Sequence, residues 1–245
     1  MSALLAVQNL TKRFGRRVVV DGVSFEIEPD EILGVVGPSG SGKSALFDCI
    51  FGRTVPSAGE VRLDGRPVTG LRARELSRLG LARTFQRVQL FPGLTVRDNL
   101  IAAGQEHRGS LWSRLAGSPD AGLAETVAEM IAFFHLDGVA GQTAGRLTER
   151  QQRLLDIAMA FMARPRLVLL DEPASGVDAT VLESLRERLR AINAQAGTTF
   201  VIIERDLDFM TSLATRLLVL AEGRVVASGD VESVRASGVL KAEEE

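Results

Sequence analysis

Cysteine is almost missing from this chain. Cys49 is the only one in 245 residues, so an intramolecular disulfide is excluded and a reducing compartment fits. Histidine is nearly as scarce: His107 and His135 are the two in the sequence, the first read as loop surface and the second as part of a helix end. Long apolar runs are lacking as well. No stretch approaches the roughly 18 apolar residues of a membrane-crossing helix. The opening MSALLAVQNLTKRF lacks the basic, then apolar, then small-residue order of a secretion signal. If the protein works at a membrane, something else must hold it there. Positive charge is not in excess either. Twenty-nine Lys and Arg oppose 31 Asp and Glu, a formal net charge of -2, which argues against a dedicated nucleic-acid binder with its basic stripe. No internal repeat is visible.

What is present is enough apolar material for a core, 45% of the residues, in a length suited to one large domain or a domain with an inserted lobe. Four short apolar runs read as buried strands: Ile32 to Val36, Leu167 to Leu170, Phe200 to Ile203 and Leu217 to Leu220. They are rich in Val, Ile and Leu without strict alternation, as in a parallel sheet covered on both faces. Helical patterns lie between them. Ser44 to Phe51 follows a glycine loop, and Val181 to Ala194 sets Leu182, Leu185, Leu189 and Ile192 on one face. The alternation implies an α/β domain with a doubly wound sheet. From about Arg87 to Ala163 no comparable strand run appears. Gly104 to Gly122 reads as loop, Glu125 to Phe134 and Gln151 to Met162 as helices, so a mainly helical lobe is expected here, inserted into the core. Lys241 to Glu245 reads as a solvated tail.

Two motifs carry chemistry. Gly37-Pro38-Ser39-Gly40-Ser41-Gly42-Lys43-Ser44 fits G-x-x-x-x-G-K-[ST], following one predicted strand and opening a predicted helix. Glycines let backbone N–H groups close round phosphate oxygens, and the helix N-terminus adds partial positive charge. Lys43 supplies a point charge for the outer phosphates, and the Ser44 hydroxyl is placed to ligate Mg²⁺. The second motif is an apolar strand ending in two acids, Asp171 and Glu172. Strand C-termini point into the ligand crevice of such a sheet. Asp171 is therefore expected to reach Mg²⁺, directly or through water, and Glu172 to polarise an attacking water as general base.

The stretch Leu147 to Pro173, reading LTERQQRLLDIAMAFMARPRLVLLDEP, resembles the signature helix and Walker B strand of ABC ATPases. The resemblance covers nearly the whole chain. It includes Leu10 to Gly15 (LTKRFG) and Leu81 to Leu100 (LARTFQRVQLFPGLTVRDNL), a segment most similar to the ATP-binding subunits of branched-chain amino acid importers. Subunits for urea or other amides are nearly as similar. The resemblance implies a P-loop NTPase, RecA-like core with a mixed sheet and an inserted helical lobe, taking up about residues 87–163 of a single domain. It implies that Phe14 stacks on adenine, that Gln86 touches Mg²⁺ or its water and links core to lobe, and that Asp178 lies in the loop that crosses to a partner subunit. It also implies a sandwich of two ATPase subunits round two ATPs, on the cytoplasmic face of a membrane. Transmembrane permease subunits and, indirectly, a solute-binding protein complete the assembly.

Two positions depart from the family pattern. The signature is usually LSGGQ, or LSYGQ in the importers most similar. Here it reads Leu147-Thr148-Glu149-Arg150-Gln151. Thr148 keeps a hydroxyl that caps the helix, with Gln151 completing a capping box. Arg150 stands where glycine lets backbone N–H approach the γ-phosphate: its side chain obstructs that approach while its charge attracts the phosphate. At the switch, Ile-Glu-His-Asp has become Ile203-Glu204-Arg205-Asp206. Arginine donates and stays charged, so Arg205 is expected to hold the γ-phosphate or stabilise transition-state charge, but not to shuttle a proton. Nucleotide binding is thus better supported than fast hydrolysis. The expectation is an importer ATPase acting as a slow homodimer or as the degenerate half of a heterodimer. The rival is a regulatory subunit that binds ATP with little turnover. A soluble ABC ATPase of DNA repair or translation would carry long coiled-coil insertions or two cores, and neither is present. A small P-loop kinase would leave the Gln86 and signature segments unexplained.

Overall fold

A computed structural model describes residues 3–105, 121–175 and 179–240. The four buried runs form strands β3 (Ile32–Val36), β7 (Leu167–Asp171), β8 (Thr199–Ile203) and β9 (Arg216–Ala221). They join β6 (Leu81–Arg83) and β10 (Arg224–Asp230) in one sheet of order β10-β9-β3-β8-β7-β6. All neighbours run parallel except β9 and β10. Successive residues of these strands are buried on opposite faces. Leu33 and Val35 enter one apolar cluster and Ile32 and Val36 the other; Val201 and Ile203 divide in the same way from Phe200 and Ile202. This two-sided burial is why the strands show continuous apolar runs instead of alternation.

On the Leu33 face lies helix α1 (Lys43–Ile50), with a second sheet beyond it. That sheet is antiparallel, of order β2-β1-β4-β5, built from β1 (Leu5–Phe14), β2 (Arg17–Ile27), β4 (Ala58–Leu63) and β5 (Arg66–Pro67). Leu46, Phe47 and Ile50 of α1 share a core with Leu5, Val7 and Val61 of this sheet and with Leu33 and Val35 of the other. The doubly wound reading did not anticipate it. The reason is local: β1 loses register against β2 between Val7 and Leu10, between Leu10 and Lys12, and between Lys12 and Arg13. Each slip redirects the side chains and breaks the alternation that marks a strand.

Between β6 and β7 the described residues form helices α2's successors α3 (Val96–Gln105), α4 (Ala121–Phe133) and α5 (Glu149–Phe161), where α2 is the short Ala73–Arg78 before β6. Within 87–163 the described residues make no strand, only an isolated bridge from Thr95 to Thr143. Leu100, Val127, Leu155 and Phe161 pack in one cluster with the sheet residues Val168 and Phe200. The chain closes through α6 (Ala179–Ala196), α7 (Leu207–Leu213) and α8 (Val231–Ala236). Most of the expected Gly104–Gly122 loop, with His107, and the expected tail 241–245 lie outside the described residues.

Candidate functional site

The loop from Gly37 to Gly42 links the C-terminal end of β3 to the first turn of α1. It is pressed against backbone on two sides. Gly37 has φ 145°, and a Cβ there would stand 2.0 Å from the Leu220 carbonyl oxygen. Gly42 has φ 103°, and a Cβ there would stand 2.3 Å from the Val19 carbonyl oxygen. No side chain fits either place, so glycine is required by space as well as by torsion. The Gly223 N–H donates to the Ser41 carbonyl at 2.9 Å, which ties the loop to the β9–β10 turn. Pro38, Ser39, Gly40 and Ser44 stay exposed along the rim. Lys43 curls back over the loop. Its Nζ donates to the carbonyls of Gly37 and, at 2.9 Å, of Pro38, and lies 3.3 Å from Ser41 Oγ. An ammonium parked on neutral carbonyls is placed to turn towards an anion held in the loop.

Asp171 closes β7, two strands away in the same sheet, and is 4% exposed. Arg83, at the end of β6, donates to it through Nη2 at 3.0 Å and to Asp48 of α1 through Nη1 at 2.7 Å. The guanidinium lies 5.5 Å from the Phe47 ring centre and 5.0 Å from that of Phe85. Burial pushes the Asp171 carboxyl above the ordinary range, and the Arg83 hydrogen bond and charge pull it back. Arg83 uses Oδ2 of Asp171, so Oδ1 is the oxygen left for a cation or its water.

Glu172 leaves the strand with φ 47°, a left-handed turn that is uncommon for a residue with a side chain. Its N–H still donates to the Ile203 carbonyl at 2.8 Å, prolonging the β7–β8 ladder past Asp171. The turn aims its carboxylate at two residues remote in sequence. Gln86 Nε2 donates to Oε2 at 3.0 Å, and Arg205 Nε donates to Oε1 at 2.8 Å. Three expected site residues therefore meet at one carboxylate. Below them Glu204, 4% exposed, accepts from the N–H groups of Ala174 at 2.8 Å and of Arg205 at 2.7 Å. Burial raises the Glu204 carboxyl while those N–H donors lower it.

The signature-like segment opens α5. Thr148 Oγ1 accepts from the Gln151 N–H at 3.3 Å, and Gln151 Oε1 accepts from the Thr148 N–H at 3.0 Å. That is the capping box expected of these residues. Glu149 and Arg150 are exposed. Phe14 stands 53% exposed at the end of β1, beside a hairpin whose Val19 braces the glycine loop, with Lys12 Nζ 4.9 Å from its ring centre. His135 sits exposed with φ 51° in the turn after α4. Asp178 lies outside the described residues.

Two residues that sequence reasoning passed over hold the site together. Arg83 is one. Arg153, on α5 and 7% exposed, is the other: Nη1 donates to the Phe85 carbonyl at 2.9 Å, and Nη2 to the carbonyls of Gln86 at 2.9 Å and Glu172 at 3.3 Å. A helix of the 87–163 region thus grips both loops that carry the Glu172 cluster. One turn on, Asp156 accepts from the Gln89 N–H at 2.9 Å through Oδ1, while its buried Oδ2 has no partner. Burial lifts this carboxyl from 3.8 to about 6. The signal that could have exposed these residues is a charge where an apolar side chain is due: Arg83 inside a buried strand, and Arg153 and Asp156 beside Leu154, Leu155 and Ile157 on a buried helix face.

The glycine loop, the Ser44 hydroxyl and the free Oδ1 of Asp171 form a set suited to a phosphate chain with a hard cation. Among the described residues no group of three His, Cys, Asp or Glu could hold a metal ion. The profile of the family described as ABC transporter matches residues 20–175. The chain is 34% identical over 240 residues, 95% of its length and 93% of the relative's, to the high-affinity branched-chain amino acid transport ATP-binding protein BraF of Pseudomonas aeruginosa. It is 33% identical to LivG of Escherichia coli, described in the same words, with the same coverage. In structure it is similar to a crystallised ATP-binding cassette of an ABC transporter in its ADP conformation: TM-score 0.87, 28% identity, 100% of this chain and 97% of that one.

Proposed function

This chain belongs to the ABC transporter family as an ABC-type ATPase, and from that premise we propose that it is the ATP-hydrolysing subunit that powers import of branched-chain amino acids or a related amino acid or amide. The observation that carries the catalytic part is the convergence of Gln86 and Arg205 on Glu172, next to Asp171 and at the same C-terminal end of the parallel strands as the glycine loop. The solute rests on likeness to transport proteins for branched-chain amino acids and not on any pocket of this chain.

In this reading the loop N–H groups of residues 37–43 and the N-terminus of α1 hold the phosphates. Lys43 leaves its carbonyls for the outer phosphates, and Phe14 supports the base. Magnesium, when bound with the nucleotide, neutralises phosphate charge; Ser44, Asp171 and Gln86 hold it or its water. Glu172 takes the proton of the attacking water at a carboxylate oxygen. Residues 87–163 act as a helical lobe whose α5 reports its position to Gln86 and Glu172 through Arg153. A second subunit places its own Thr148–Gln151 segment against this nucleotide, with Asp178 at the crossing. Among the described residues no helix is long and apolar enough to cross a membrane. Attachment through permease subunits at the cytoplasmic face, fed by a solute-binding protein, completes the proposal.

A second reading has one observation in its favour. Arg205 holds the oxygen Oε1 of Glu172, as expected of an ATP-binding regulatory subunit with little turnover. Steady-state turnover at saturating Mg·ATP, beside Glu172→Gln, separates the two. The ATPase reading expects turnover in the parent chain and at least a hundredfold loss in the variant, with ATP still bound. Equal, near-zero rates in both would favour the regulatory reading. Restoration of labelled leucine uptake in cells lacking the chain tests the solute.

A further inference from the structure

Buried polar atoms without a partner are rare in folded proteins, and each asks for an explanation. Among the described residues three buried side-chain atoms stand alone: Arg83 Nε, Asp156 Oδ2 and Arg186 Nε. Two of the three belong to residues of one cavity. It holds about 300 Å³, and Arg83 and Asp156 are the charged residues that line it. Phe51, Phe85 and Met159 give the wall its apolar part, and the two rings already meet edge to face, with centres 6.3 Å apart. Both charged residues are more than nine-tenths buried, and their other polar atoms are engaged. Asp156 Oδ1 accepts from the Gln89 N–H. Arg83 spends its terminal nitrogens on Asp48 and Asp171. What remains is one acceptor on α5 and one donor on β6, facing a common space beside hydrocarbon. The Asp156 oxygen is anionic and favours a cationic donor. The charge of Arg83 is already shared by two carboxylates, so its Nε–H suits a carbonyl oxygen. Water can pair such atoms but gains nothing from the rings and the thioether.

We propose that this cavity is a second ligand site, for an apolar α-amino carbonyl compound: an apolar amino acid or its amide. The ammonium donates to Asp156 Oδ2, the neighbouring carbonyl oxygen accepts from Arg83 Nε–H, and the hydrocarbon side chain lies against Phe51, Phe85 and Met159. The ligand thereby pairs both lone atoms and covers apolar surface in one step. An ammonium also offsets the penalty that burial places on the Asp156 carboxylate. The volume is at the small end of ligand pockets, as a molecule of this size requires. No residue of the glycine loop lines the cavity, so the site goes beyond the nucleotide reading and does not depend on it.

Titration calorimetry on the full chain without nucleotide tests the site, with L-leucine and L-leucinamide as probes. Two further compounds each lack one group: 3-methylbutylamine has no carbonyl, and 4-methylpentanamide has no ammonium. Saturable binding of leucine or leucinamide is expected, and the tighter of the two tells the free acid from the amide. Both incomplete compounds should bind about tenfold more weakly or worse, the weight of one charge-assisted hydrogen bond. Asp156→Asn should weaken the better probe by a similar factor. Ala160→Leu, which fills the cavity from α5 and keeps both charged residues, should abolish binding; thermal unfolding checks that each variant is folded. Absence of saturable binding by both probes, or binding that neither variant changes, would overturn the proposal. So would equal binding of 3-methylbutylamine. Failure of both probes, together with weaker permease association in Asp156→Asn, would assign the cavity to a protein segment instead. None of these outcomes touches nucleotide binding, which is measured separately with a Mg·ATP analogue.

Discussion

Asp171 and Glu172 are neighbours, and an arginine holds each, yet the two arginines live in opposite surroundings. Arg83 is 2% exposed, wedged between Phe47 and Phe85, and bridges Asp171 to Asp48. Arg205 is 62% exposed and touches Glu172 through one nitrogen at the edge of an open cavity. A buried cation between two acids is a fixed part of the scaffold, because removing it strands charge in a poor dielectric. An exposed ion pair is weak and yields to a better anion. The protein thus fixes the acid expected to hold a metal and leaves the acid expected to handle water on a releasable tether. That division of labour suits a site that must keep its geometry between turnovers and change its reactivity within one.

The comparison can be strained at several points. Arg83→Met should have the largest effect, about 3–5 kcal/mol of lost stability, since Asp48 and Asp171 are left facing each other without a cation; chemical denaturation measures it. Asp156→Asn probes a third buried acid, one with no arginine on its free oxygen. Its carboxyl is raised from 3.8 to about 6, so the folded protein binds the proton more tightly than the unfolded chain. Stability from this group is therefore full below pH 4, falls as the pH rises to 6, and stays reduced above. The asparagine variant should recover up to about 3 kcal/mol at pH 7 and nothing at pH 4, read as a flattened stability–pH curve. Thr148→Ala should cost about 1 kcal/mol through the lost cap of α5. Arg205→Gln should change stability by less than about 1 kcal/mol. A loss as large as that of Arg83→Met would erase the contrast between the two arginines.

The sequence disclosed the parts of this site that are local. The glycine loop is eight consecutive residues at a strand–helix boundary, and Asp171 and Glu172 end an apolar run. Gln86 and Arg205 stood out only through resemblance, because nothing nearby marks them. Their meeting at Glu172 spans 86 and 33 residues of chain and is a product of strand order, which one sequence does not display. Arg83 and Arg153 escaped notice because charges are expected at the surface. The antiparallel sheet escaped because the bulges of β1 scramble its alternation.

The most direct test of the fixed and releasable pairs is a pair of double-mutant cycles, Arg83 with Asp48 and Arg205 with Glu172. Both are read as unfolding free energies without nucleotide and with a saturating non-hydrolysable Mg·ATP analogue. The account predicts a large Arg83–Asp48 coupling in both conditions, and a small Arg205–Glu172 coupling that vanishes when the analogue is bound. An Arg205–Glu172 coupling that persists or grows with the triphosphate would contradict it.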